Sequence, residues 1–204
     1  MTFSYKQEIL RKSVHLSSLW MVACICFLPK PFLLVLFGAL FVLNVSAEYG
    51  YYRKQPFCRA LYGRVLDRML RDKETDGTFR LSGSPYVLAA AFIVTLLFVK
   101  EAAAAALAVM LVGDTAAALV GRKFGRHKLN EGKKSVEGSA AFLISSLLVL
   151  YVFAKLCDFP TLVCLAGAGG VFMAMLAEIY EDKLHVDDNF SIPLCVGFAL
   201  SAVL

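Results

Sequence analysis

Apolar residues along this chain gather in long runs and do not alternate with polar ones, at residues 14–28, 32–47, 85–99, 102–120, 139–154, 161–177 and 190–204. Runs this long exceed ordinary strands and predict helices that are apolar on every face. A spanning helix needs ~17–25 apolar residues, so flanking positions such as Arg11, Lys12, Glu48 and Lys155 must extend several of them. The pattern predicts an all-α, polytopic integral membrane protein with about seven transmembrane helices, residues 1–204 forming a single membrane-embedded domain. The first run follows a basic start, and no small-residue cleavage site comes after it. Pro29-Lys30-Pro31 leads straight into the next run, so the first helix is expected to be retained.

Composition agrees with the pattern. Of 204 residues, 59% are hydrophobic and only 18% charged, which argues against a soluble globule and against a disordered chain. The six cysteines, at 24, 26, 58, 157, 164 and 195, have no metal-site or redox spacing and read as small hydrophobes.

The net charge of +5 changes the picture through its distribution. With seven spans, the N-terminus and the loops at 48–84 and 121–138, with Lys183, share one side and hold 18 of the 21 basic residues. Lys30, Lys100 and Lys155 lie opposite. The positive-inside rule then assigns the basic side to the cytoplasm. An excess that in a soluble protein would hint at nucleic acid is a topology signal here, and no nucleic-acid partner is expected. Within the loop at 48–84, an Arg-rich stretch over 52–71 has near-helical apolar spacing and reads as an amphipathic basic helix at headgroup level.

Candidate chemistry lies on that same side. Asp114 falls inside the fourth apolar run, where a carboxylate costs roughly 2.5–3.5 kcal/mol on insertion scales and therefore needs a partner, an ion or a function. A buried hydrogen bond to a neighbouring helix would also account for it. After Gly113-Asp114 come small residues and then Gly121, Arg122, Lys123, Gly125 and Arg126, glycines that permit close approach beside side chains that neutralise phosphate. Residues 113–138 thus read as a nucleotide- or phosphate-binding segment. Gly132-Lys133-Lys134-Ser135 is not a Walker loop: His127 stands where the first glycine belongs, and Lys134 where the hydroxyl residue belongs. Glu137 is available there to hold a metal or orient Lys134. A third cluster, at 178–193, contains Glu178, Glu181, Asp182, Asp187, Asp188 and Asn189, with His185 read as a surface residue. Hard oxygen ligands facing a basic loop point to Mg²⁺ or another divalent cation. Glu8, Arg11, Lys12 and His15 share one helical face, as do Asn44 and Glu48; these are supporting candidates or interfacial anchors.

In order and spacing these elements resemble the CTP-dependent polyprenol and lipid kinases, the family of dolichol kinase, phytol kinase and yeast-type diacylglycerol kinase, which is related to the CDP-diacylglycerol synthases. The resemblance is carried by Glu8, Arg11, Lys12 and His15; by Gly113-Asp114 with Ala117, Gly121 and Gly125; by Lys134-Ser135 with Glu137-Gly138; and by Glu178 with Asp188-Asn189 and Pro193. It implies transfer of the γ-phosphate of CTP to a lipid alcohol with a divalent cation. Asp114 would be a metal ligand or the base at the lipid hydroxyl, and Lys134 and Arg122 would contact phosphates, assisted by Lys123, Lys133 and Ser135. Glu137, Glu178 and Asp188 would support the metal, with Asn189 at the metal or the ribose. Dolichol kinases are usually longer, so the compact chain is more similar to phytol kinase or prokaryotic members. A cytidylyltransferase and a small transporter are the competing expectations; the closing Asp188 to Pro193 element favours the kinase.

Overall fold

A computed structural model describes residues 5–56, 81–129, 134–184 and 186–204. Each of the seven apolar runs is helical. The elements are α1 (Tyr5–Ser17), α2 (Leu19–Phe27), α3 (Lys30–Tyr52), α4 (Gly83–Leu97), α5 (Lys100–Phe124), the strands β1 (Lys128–Leu129) and β2 (Lys134–Ser135), α6 (Val136–Leu156), α7 (Thr161–Ile179), α8 (Glu181–Leu184) and α9 (Asp188–Ser201). Only Ser18 separates α1 from α2, where hydrogen bonds tighten to three-residue spacing, and together they make one span, Gln7–Phe27. This span, α3, α5, α6 and α7 are long and apolar enough to cross a membrane. The fold is an all-α polytopic membrane protein. The other two runs form shorter helices, α4 with 15 residues and α9 with 14, and at 1.5 Å per residue each spans roughly 20 Å of a ~30 Å hydrocarbon layer. Of the Arg-rich stretch at 52–71, residues 57–71 lie outside the described residues.

Local chemistry sets the helix ends. Pro29 and Pro31 open α3, where a missing N–H does no harm. Ser135 caps α6 by accepting the Gly138 N–H at 3.1 Å, and Asp187 caps α9 by accepting that of Asn189 at 3.0 Å. Arg122 and Lys123 end α5, where cations complement the helix dipole.

The centre of the bundle is α5, which packs against α1, α2, α4, α6 and α9. Every side chain from 102 to 111 is buried, and the alanine run allows the neighbouring helices to come close. Against α6 the approach is closer still. Gly113, Ala117 and Gly121 recur every four residues, and a methyl group added at Gly113 would lie 2.8 Å from the Phe142 ring. One added at Gly138 would lie 3.0 Å from the Ala117 carbonyl oxygen. Val35, Leu43, Ile144, Leu148 and Leu165 point outward, as a bilayer demands.

Candidate functional site

The turns after α2, α4 and α6 lie at one end of the bundle, and the charged residues meet at the other. On α1, Glu8, Arg11, Lys12 and His15 recur with helical spacing and face α5. The Lys12 ammonium donates to the Asp114 carboxylate, both groups being buried, and His15 Nε2 lies 3.3 Å from the same Oδ2. Glu8, also buried, accepts from Arg11 at 2.7 Å and from Arg122 at 2.6 Å. The partner that an intramembrane carboxylate requires is thus supplied by the first helix, and the α1–α5 contact is ionic at two levels, about one turn apart on α1 and about two on α5.

A second group adjoins the first. Lys134 on β2 reaches Glu178 at the end of α7 at 2.7 Å, Glu181 on α8 at 3.4 Å and Asp188 on α9 at 3.9 Å. Burial alone would lower the Lys134 pKa; Glu178, Asp188 and Glu181 outweigh it and hold the ammonium well above its ordinary range. Burial, with the Asp114 and then the Glu181 carboxylate, pushes the Asp188 carboxyl up to about 8. Asp114 and Asp188 therefore share one electrostatic environment although they come from different helices.

Glu181, Asp187 and Asp188 offer carboxylate oxygens that all lie within 4.8 Å of one another. Asn189 Nδ2 donates to Asp187 at 2.6 Å and to Asp188 at 3.3 Å, which orients both. Two further acceptors, Glu178 Oε2 and Asn189 Oδ1, are buried without a donor. An all-oxygen set with orphaned acceptors fits a hard divalent cation such as Mg²⁺. It shares Asp188 with the expected set of Asp114, Glu178 and Asp188. Glu181 and Asp187 were visible in the sequence only as members of an acidic run, because their convergence depends on the α7–α8–α9 turns.

Other candidates stand elsewhere. Glu137 accepts the backbone N–H groups of Arg126 at 3.1 Å and His127 at 3.2 Å and contacts the His127 ring at 2.8 Å, so it pins the turn before β1. Gly113, Gly121 and Gly125 face α6 or its Ser135 cap; an added methyl group would collide at Gly113 and Gly125 and would sit tightly at Gly121, 3.2 Å from Ser135 Oγ. Ser135 is itself buried as that cap. Lys123 is exposed, its ammonium 5.1 Å from the Phe124 ring centre. Asn44 and Glu48 hold the start of α4: Glu48 accepts the Ser82 N–H at 2.8 Å and its hydroxyl, and Asn44 accepts from Ser84 at 3.1 Å. Lys133 and His185 lie outside the described residues.

Fold and site together define a polytopic helical membrane protein with a buried ionic site at one end of its bundle. The chain is 26% identical to the CTP-dependent diacylglycerol kinase of Schizosaccharomyces pombe, over 99% of this chain and 96% of the relative. It is 24% identical to the dolichol kinase of the same yeast over 94% of this chain, spanning 39% of that longer protein. With the phytol kinase of Synechocystis it shares 36% identity over 49% of this chain and 42% of the relative. All three relatives are named as lipid kinases, and their similarity to this chain supports that family. No protein-family model and no solved structure matches it.

Proposed function

We propose that this protein transfers the γ-phosphate of CTP to the hydroxyl of a lipid alcohol, at the cytoplasmic face of the membrane. The observation that carries the reading is the adjacency of two ionic groups: the buried Asp114 with Lys12 and His15, and Lys134 amid the carboxylates of α7, α8 and α9. Asp114 is in the bundle, where an alcohol dissolved in the bilayer can present its hydroxyl. Lys134 is at the polar end, where a soluble nucleotide arrives.

In this mechanism Asp114 orients the lipid hydroxyl and accepts its proton as the oxygen attacks the γ-phosphorus. The bond to the bridging oxygen breaks, giving a lipid phosphate and a nucleoside diphosphate. Lys134 exchanges carboxylate contacts for phosphate contacts, and Arg122 and Lys123, at the end of α5, contribute positive charge to the same end. Glu181, Asp187 and Asp188 would hold Mg²⁺, with Glu178 Oε2 and Asn189 Oδ1 in reserve; the ion, when bound, neutralises triphosphate charge. CTP as donor is supported by the relative named as CTP-dependent, and the lipid acceptor by relatives named for dolichol, diacylglycerol and phytol.

The test is purified protein in detergent with Mg²⁺, γ-labelled CTP or ATP, and a panel of diacylglycerol, phytol, farnesol and long polyprenols. Label in the lipid is the expected result; a CDP-lipid with release of pyrophosphate would replace the kinase by a cytidylyltransferase. Orientation is read separately from Lys128→Cys, an exposed position on β1, which an impermeant maleimide should label from the cytoplasmic side only.

A further inference from the structure

At the end of the bundle opposite the charged site, the end of α2, the start of α3, the end of α4 and the start of α5 border a half-open pocket of about 410 Å³. This volume is within the ~300–1,000 Å³ usual for ligand sites. Ile25, Leu33 and Phe98 supply apolar wall, and both charged residues that line it are cations, Lys30 and Lys100. Thr95 is only 4% exposed, lines the same pocket, and its hydroxyl has no hydrogen-bond partner. A buried hydroxyl left unpaired costs about 1–3 kcal/mol, so this position favours a ligand that can pair with it.

The charge pattern sharpens the point. Of the three basic residues assigned to this side of the membrane, Lys30, Lys100 and Lys155, two line one pocket, although the topology rule disfavours cations here. Lys30 also donates to the Phe98 carbonyl at 3.3 Å, which holds its ammonium against the end of α4.

We propose that this pocket binds an anionic phospholipid from the leaflet opposite the charged site. The phosphate sits on Lys30 and Lys100, one acyl chain runs along Ile25, Leu33 and Phe98, and an ester carbonyl accepts from Thr95. The site is independent of the phosphotransfer reading, because no residue of the charged site belongs to it.

Native mass spectrometry of the detergent-purified chain, titrated with phosphatidylglycerol and phosphatidylcholine of matched chains, tests the proposal without nucleotide. The first phosphatidylglycerol should bind about 10-fold more tightly, a difference of ~1.4 kcal/mol. In Lys30→Gln with Lys100→Gln the two lipids should bind alike; glutamine at 30 keeps a donor for Phe98. Thr95→Val, close in shape, should weaken both lipids about 3-fold or more and leave their ratio unchanged. Equal binding of the two lipids by the parent chain, or a preference that survives in the double variant, overturns the proposal.

Discussion

Lys12 and Asp114 stand 102 positions apart in the chain and meet as a buried ion pair where α1 packs on α5. Each neutralises a charge that the other's helix could not carry alone. The pair therefore has a structural part and, in the proposed mechanism, a chemical one, and these are separable.

Asp114→Asn leaves the Lys12 ammonium buried without its counter-charge, which should cost about 3–5 kcal/mol of stability and remove phosphotransfer. Lys12→Met combined with Asp114→Leu should regain most of the stability and none of the activity. Thermal unfolding in detergent alongside the label-transfer assay reads both. Recovery of activity in the double variant would reduce Asp114 to a structural residue.

Lys134 holds Glu178 and adjoins Glu181 and Asp188, so its removal frees acidic oxygens. Lys134→Met should tighten Mn²⁺ binding about 10-fold without nucleotide while lowering kcat/KM by roughly 10²–10³, the scale of one lost charge-stabilising donor. Calorimetric Mn²⁺ titration checks the first half. Unchanged metal affinity would mean that Lys134 and the cation do not compete.

Burial, with the Asp114 and Glu181 carboxylates, pushes the Asp188 carboxyl up to about 8, so a proton competes for it near neutral pH. A divalent ion must displace that proton, so Mg²⁺ affinity should rise with pH, up to tenfold per unit, and level off above about 8. Without metal the sign for stability is opposite: the unfolded chain releases the proton near ~4, so stability falls as pH rises from about 4 to 8. Asp188→Asn should flatten both profiles, measured by metal titration and by unfolding across that range.

Gly113→Ala would set a methyl group 2.8 Å from Phe142, forcing α5 and α6 apart at a cost of about 1–3 kcal/mol. Gly169→Ala on α7, with nothing within 4 Å, should be neutral or stabilising by up to ~1 kcal/mol, since alanine is the better helix former. The difference between the two unfolding temperatures checks the seam.

The apolar runs were legible because helix burial in a bilayer is written in consecutive residues, and Asp114 was legible because a carboxylate in such a run has no local excuse. Its partner was not, since nothing in the spacing of Glu8, Arg11, Lys12 and His15 says which helix they face. Gly121 and Gly125 illustrate a second ambiguity. A glycine that admits a phosphate and one that admits another helix look alike in sequence, and only the positions of Gly138 and Ser135 show that these two face α6 and its cap. Glu137 and Lys134 are neighbours along the chain, yet Glu137 faces residues 126 and 127 while Lys134 faces α7, a divergence that spacing does not reveal. Glu181 and Asp187 became distinguishable within their acidic run once the turns around α8 were known.

The first helix also has a history during synthesis. Lys12 leaves the ribosome 102 residues ahead of Asp114, a lag of roughly 5–20 s at ~5–20 residues per second. For that interval its ammonium must stay at the interface, and α1 can sink to its final depth only once α5 has been threaded into the bilayer. Assembly of the bundle is thereby ordered in time: α1 completes its packing only after α5 has been made.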